Sequence, residues 1–177
     1  MKLPKCDISP NQTYDRYGYI RTVETVNTYD PADEAQYQLV DSWLRTRNAG
    51  DDLDGLWPLI EIVDAPALCL RYSANLADCV CEPGTRMAGT YTQKALEQVS
   101  ADGAEHSIAE GIIRTAFGVA DGPTRAGAAS LTDDDPAALA GAALAVVAVA
   151  NTVAQAPGWD LETVLGAAQF RRTGRKL

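Results

Sequence analysis

Apolar residues recur at helical spacing along most of the chain and at strand-like spacing over one stretch near its start. From Tyr14 to Thr28 aromatic and β-branched residues alternate roughly with polar ones, which favours a strand or an extended arm. Residues 1–13, polar and holding Pro4 and Pro10, read as an extended lead-in. A lone strand leaves its backbone groups unpaired, so the arm has to pair with something: a hairpin through Gly18, an edge elsewhere, or another subunit.

Beyond the arm the period changes to 3.6. Asp30-Pro31-Ala32-Asp33 supplies an N-cap, a proline at the first helical position and acids in the first turn; Tyr37, Val40, Trp43 and Leu44 follow on one face, predicting a helix over 31–48 closed by Asn48-Ala49-Gly50. Leu53 to Val63 is apolar but too short to assign by period. Asp64-Ala65-Pro66 starts a helix with Leu68, Tyr72, Leu76 and Cys79 on one face, which Pro83-Gly84 ends. Thr90 and Gln93 fit a capping box for a short helix to about Val99. The clearest amphipathic pattern is 104–117, where Ile108, Ala109, Ile112, Ile113, Ala116 and Phe117 share a face.

Residues 118–135, rich in Gly, Ala and Asp, read as a loop. Asp135-Pro136 then opens a helix whose residues 137–150 are all Ala, Gly, Leu or Val. Fourteen such residues fall short of the ~20 that span a bilayer, so this is expected to be a buried central helix, with Gly141 and Ala145 admitting a close neighbour. Trp159, Asp160 and Val164 fit a hydrophobic staple opening a last helix that ends at Arg171, Arg172 and Gly174. The expected fold is mainly α: a bundle of about five or six helices over 30–177, preceded by a β-like or extended N-terminal arm over 1–29.

Charge narrows the function classes. The chain carries 15 Lys+Arg against 24 Asp+Glu, a net charge of −9, so its body repels phosphate backbones and anionic membranes; neither nucleic acid nor membrane is expected as a partner. Four cations (Arg171, Arg172, Arg175, Lys176) sit in the last seven residues, where they complement a helix C-terminus or contact an anion. No apolar leader follows Met1, which points to the cytoplasm and to reduced Cys6, Cys69, Cys79 and Cys81. Eleven Arg against four Lys, with 29 Ala, is a bias shared by proteins of actinobacteria and their phages.

Few groupings carry chemistry. Gly50 to Glu61 places Asp52, Asp54, Gly55 and Glu61 at the third, fifth, sixth and twelfth positions of an EF-hand-like register, the candidate Ca²⁺ ligands, but Gly50 stands where the first carboxylate belongs. The cysteines lack the two-residue spacing of zinc sites and read as packed thiols. His106 is the only histidine, which thins most acid–base and nucleophilic schemes. The glycine-containing stretches 84–89 and 122–127 lack the Gly-Lys-Ser/Thr ending of a phosphate loop. Asp133-Asp134-Asp135, directly before a helix, suits its positive end.

Glu105-His106-Ser107-Ile108-Ala109-Glu110, the Asp/Ala/Pro loop, the apolar helix, and Trp159-Asp160-Leu161-Glu162-Thr163-Val164-Leu165 before Arg171-Arg172 together resemble the second half of MazG-like all-α nucleoside triphosphate pyrophosphohydrolases over 105–172. The resemblance implies Mg²⁺ held by Glu-x-x-Glu and Glu-x-x-Asp pairs on successive helices, with Glu105 and Glu110 as candidate catalytic residues nearest the metal and Arg171 or Arg172 near phosphate, while His106 is a candidate catalytic residue in its own right as the only histidine. Glu110 fits one ligand position; its partner is Ile113, and the second pair falls at Ala142 and Ala145. The expected function is therefore a non-catalytic helical interaction or assembly protein without a cofactor. It docks on a protein partner or a second copy through Tyr14, Tyr17, Tyr19 and Tyr29 of the arm, aromatic residues of the kind enriched at interfaces. A nucleotide-binding or Mg²⁺-dependent relative of the pyrophosphohydrolases is the alternative.

Overall fold

Tyr37, Val40, Trp43 and Leu44 all turn inward from helix α1, Glu34–Asn48, which a single 3₁₀ turn at Pro31–Asp33 leads into. The computed structural model describes residues 31–48, 61–100 and 102–174, and the backbone of 12–14 and 20–22. It is mainly helical, with seven α-helices among the described residues: α1, then α2 (Ala65–Ala77), α3 (Arg86–Leu96), α4 (Gly103–Ala116), α5 (Gly122–Ala129), α6 (Pro136–Ala154) and α7 (Leu161–Thr173). Near the start, Gln12–Tyr14 pairs antiparallel with Ile20–Thr22, Thr13 opposite Arg21. Tyr17, Tyr19, Tyr29, Cys6, Asp52 and Asp54 lie outside the described residues.

The helix that the pattern does not predict is α5, within the stretch read as a loop. Asp121 Oδ1 accepts the Thr124 N–H at 2.7 Å and Pro123 occupies the first turn, so Asp-Gly-Pro here is a helix start and not a turn. A similar correction applies to α3. Its cap is Thr85, whose hydroxyl accepts the Ala88 N–H at 3.2 Å, while Thr90 sits mid-helix and donates to the Arg86 carbonyl. Helix α2 ends at Ala77, before Pro83-Gly84, because Cys79 and Val80 bond three residues back instead of four and tighten the chain into a turn. The last helix keeps its expected ends, with Asp160 capping the Thr163 N–H at 2.8 Å and Gly174 at φ 69° closing it.

Helix α6 is the centre and packs against α2, α3, α4 and α7. It is 19 residues long because Asn151 and Thr152 continue the helix past the apolar run, and by length and composition it could cross a bilayer. In this fold 61% of its most apolar stretch is buried inside the bundle. Gly141 sets the approach of α4: a methyl there would lie 2.6 Å from Ile108 Cγ2 and 2.9 Å from the Glu105 carbonyl oxygen.

One cap crosses the molecule. Asp64 precedes α2 at φ 53° and makes no side-chain cap of its own. The carboxylate of Asp133, in the turn before α6, takes the free N–H groups of Asp64 at 2.7 Å and Ala65 at 2.9 Å. Of the three acids at 133–135, Asp135 caps its own helix through the Ala137 N–H, and Asp133 caps a distant one. Replacing Asp133 with alanine should cost about 0.5–2 kcal/mol, read from urea unfolding followed by circular dichroism. An unchanged midpoint would mean that water serves those N–H groups equally well.

Candidate functional site

Two features hold polar chemistry against apolar surroundings. The first is a closed cluster where α1, α2 and α7 meet. Asp41 lies on the inward face of α1 and Asn75 on the buried face of α2, so each needs a partner inside the fold. Arg172, from the last turn of α7, supplies it. Its Nε and Nη2 donate to Glu34 at 3.0 and 3.2 Å, Nη1 donates to Asn75 Oδ1 at 3.0 Å, and Nη2 reaches Asp41 at 3.5 Å. The guanidinium carbon sits 4.9 Å from the Tyr37 ring centre. Tyr72 donates its hydroxyl proton to Asp41. Burial raises the Asp41 carboxyl and the Tyr72 phenol above their ordinary values, with Arg172 pulling both back down. Arg172, expected near an anion, thus spends its donors inside the protein.

Arg171 points elsewhere: half exposed, it stands 4.0 Å from Asp78 at the end of α2. Burial pushes the Asp78 carboxyl from 3.8 to about 6 against that weak attraction. A raised folded pKa means that the fold favours the protonated acid, so the penalty is present above about pH 6 and is relieved as pH falls toward 4. Asp78→Asn should therefore raise stability at neutral pH by about 1–2 kcal/mol, short of the ~3 kcal/mol that the full shift carries, and have little effect near pH 4. Urea midpoints of both proteins across this range check it; parallel curves would refute the assignment. Asp121 and Asp160, held below the ordinary range by their cap bonds, act in the opposite sense and lose their contribution as the solution becomes more acid.

The second feature is on the surface. Trp43 and Arg47 of α1, Glu105 of α4, and Ala143, Leu144 and Val147 of α6 line a groove of about 220 Å³. It adjoins another of about 260 Å³ that shares Arg47 and Val147 and runs on to Asn151 and Leu161. The Arg47 guanidinium lies over the Trp43 ring, 5.3 Å from its centre. Trp43 itself is 2% exposed, and its buried indole N–H has no acceptor.

No known protein family, curated protein or solved structure gives a significant match to this chain.

The expected site residues are scattered. His106 Nε2 stands 3.8 Å from Glu110, which accepts from Arg114 Nε at 2.8 Å, an ordinary surface ladder along α4. Glu105 is apart from that ladder and lines the groove. Ile113, Ala142 and Ala145, the remaining positions of the pyrophosphohydrolase ligand pattern, are fully buried in the core. Glu61 is exposed in the turn before α2. Among the described residues no three His, Cys, Asp or Glu side chains group as they would around a metal ion. Cys69, Cys79 and Cys81 are free thiols, raised by burial to about 12, 11 and 11. The spacing of apolar residues gave no sign of Trp43 and Arg47 as a pair. Asp41 did leave a signal, an acid between Tyr37 and Leu44 on an inward face, which only a buried cation or donor can accommodate.

Proposed function

We propose that this chain is a non-catalytic, helical interaction or assembly protein of the cytoplasm that docks on a protein partner or a second copy. The observation that carries this reading is the make-up of α6: between 137 and 150 the central helix holds only Ala, Gly, Leu and Val, with no side chain able to ligate a metal or move a proton. A bundle built around such a helix works through its outside. The tyrosines at 14, 17, 19 and 29 are the residues assigned to the contact. Native mass by light scattering tests it on the full-length chain, with capture of partners from lysate as a second readout. The chain should run above its monomer mass or retain a partner, and replacing all four tyrosines with serine should abolish that. A monomer that retains nothing, with or without the tyrosines, would discard the reading.

A second reading, a nucleotide-binding relative of the pyrophosphohydrolases, has one observation in its favour: Glu105 and Arg47 line the same groove. A thermal-shift series with Mg²⁺ and nucleoside triphosphates decides it, since ligand at ~100 times its dissociation constant adds ~2.7 kcal/mol.

A further inference from the structure

Trp43 walls one side of the groove; it is 2% exposed, with its indole N–H enclosed beneath the surface and the ring left as the lining. Beside it, Arg47 is exposed, stacked on the same ring, and has no carboxylate partner among the described residues, in a chain with nine more acids than bases. Its guanidinium is a donor suited to a carboxylate. Glu105, also without a cationic partner among the described residues, lines the same groove and calls for a positive or N–H-bearing group. The rest of the lining is Ala140, Ala143, Leu144 and Val147, which take an apolar group.

Size fixes the scale of the occupant. The groove, about 220 Å³, exceeds the ~150 Å³ cavity that accepts benzene and falls below the roughly 300–1,000 Å³ of sites for drug-sized molecules. A simple fatty acid leaves Glu105 unanswered. We propose that the groove between α1, α4 and α6 binds a free apolar amino acid as its zwitterion, the carboxylate on Arg47, the ammonium on Glu105, and the side chain on the α6 floor. The ligand carries no net charge, so the protein's overall negative potential does not oppose it. This site does not depend on the assembly reading.

The test uses the full-length chain with ¹⁵N-labelled tryptophan, the Trp43 indole signal being assigned through Trp43→Phe. L-Leucine should shift that signal saturably. L-Leucinamide, which lacks the carboxylate, and N-acetyl-L-leucine, which lacks the ammonium, should each bind at least about tenfold more weakly. Arg47→Gln and Glu105→Gln, both at exposed positions, should impose the same loss on L-leucine while leaving the melting temperature in place. The assignment is overturned by an indole signal that does not saturate at tens of millimolar L-leucine. It is equally overturned if the amide matches the acid, or if Arg47→Gln binds as the parent does.

Discussion

Arg172→Ala should lower the free energy of unfolding by about 3–5 kcal/mol, the cost of removing one partner from a buried ion pair and leaving the other charge alone. Asp41, 3% exposed, would keep only the Tyr72 hydroxyl, and Glu34 and Asn75 would each lose a donor. Since small domains are stable by roughly 5–15 kcal/mol in all, much of the folded population is at stake. A companion variant, Arg172→Met with Glu34→Gln and Asp41→Asn, removes the charges together and should recover a good part of the loss, because the penalty lies in the unpaired acid and not in the absent bond. Urea unfolding of the three proteins measures both effects. A loss below about 1 kcal/mol for Arg172→Ala would mean that water reaches the cluster and solvates the acids.

Gly141→Val should cost about 3 kcal/mol or more. A Cβ at this position already falls 2.6 Å from Ile108 Cγ2 and 2.9 Å from a backbone oxygen of α4, so the added atoms can be accommodated only by moving one helix off the other. Gly141→Ala pits about 1 kcal/mol of helix propensity against the same contact and should still destabilise. Gly89→Ala supplies the control: it lies inside α3 with nothing within 4 Å of the new methyl, and should stabilise by up to about 1 kcal/mol. Thermal unfolding of the alanine pair isolates the contact. Equal melting temperatures would show that α4 and α6 can separate freely.

Much of this architecture is written in short-range signals. Apolar spacing places α1, α4 and α6 and their inward faces, and Asp135-Pro136 and Asp160 mark two helix starts where Asp caps and a first-turn proline belong. The same chemistry was present at Asp121-Gly122-Pro123 and at Thr85. There Gly and Pro also signal turns, and only the bonds to Thr124 and Ala88 separate the two meanings. The candidate site was far less legible. Arg172 lies 97 residues from Asn75 and 138 from Glu34 in sequence, so its local context, the last turn of a helix, described a surface cation. Trp43 and Arg47 share one helix face, but that Glu105 comes beside them is a property of how α1, α4 and α6 pack.

The bond from Asp133 to the start of α2 also bears on how the chain is made. During synthesis the two leading N–H groups of α2 lack the Asp133 carboxylate that they meet in the folded protein. Their acceptor is synthesised 69 residues later. Until then the helix can fray from its front end, and the apolar face holding Leu68, Tyr72 and Leu76 waits for α6 to cover it. The cap and the core packing of α2 are therefore completed only once residue 133 and α6 have been made.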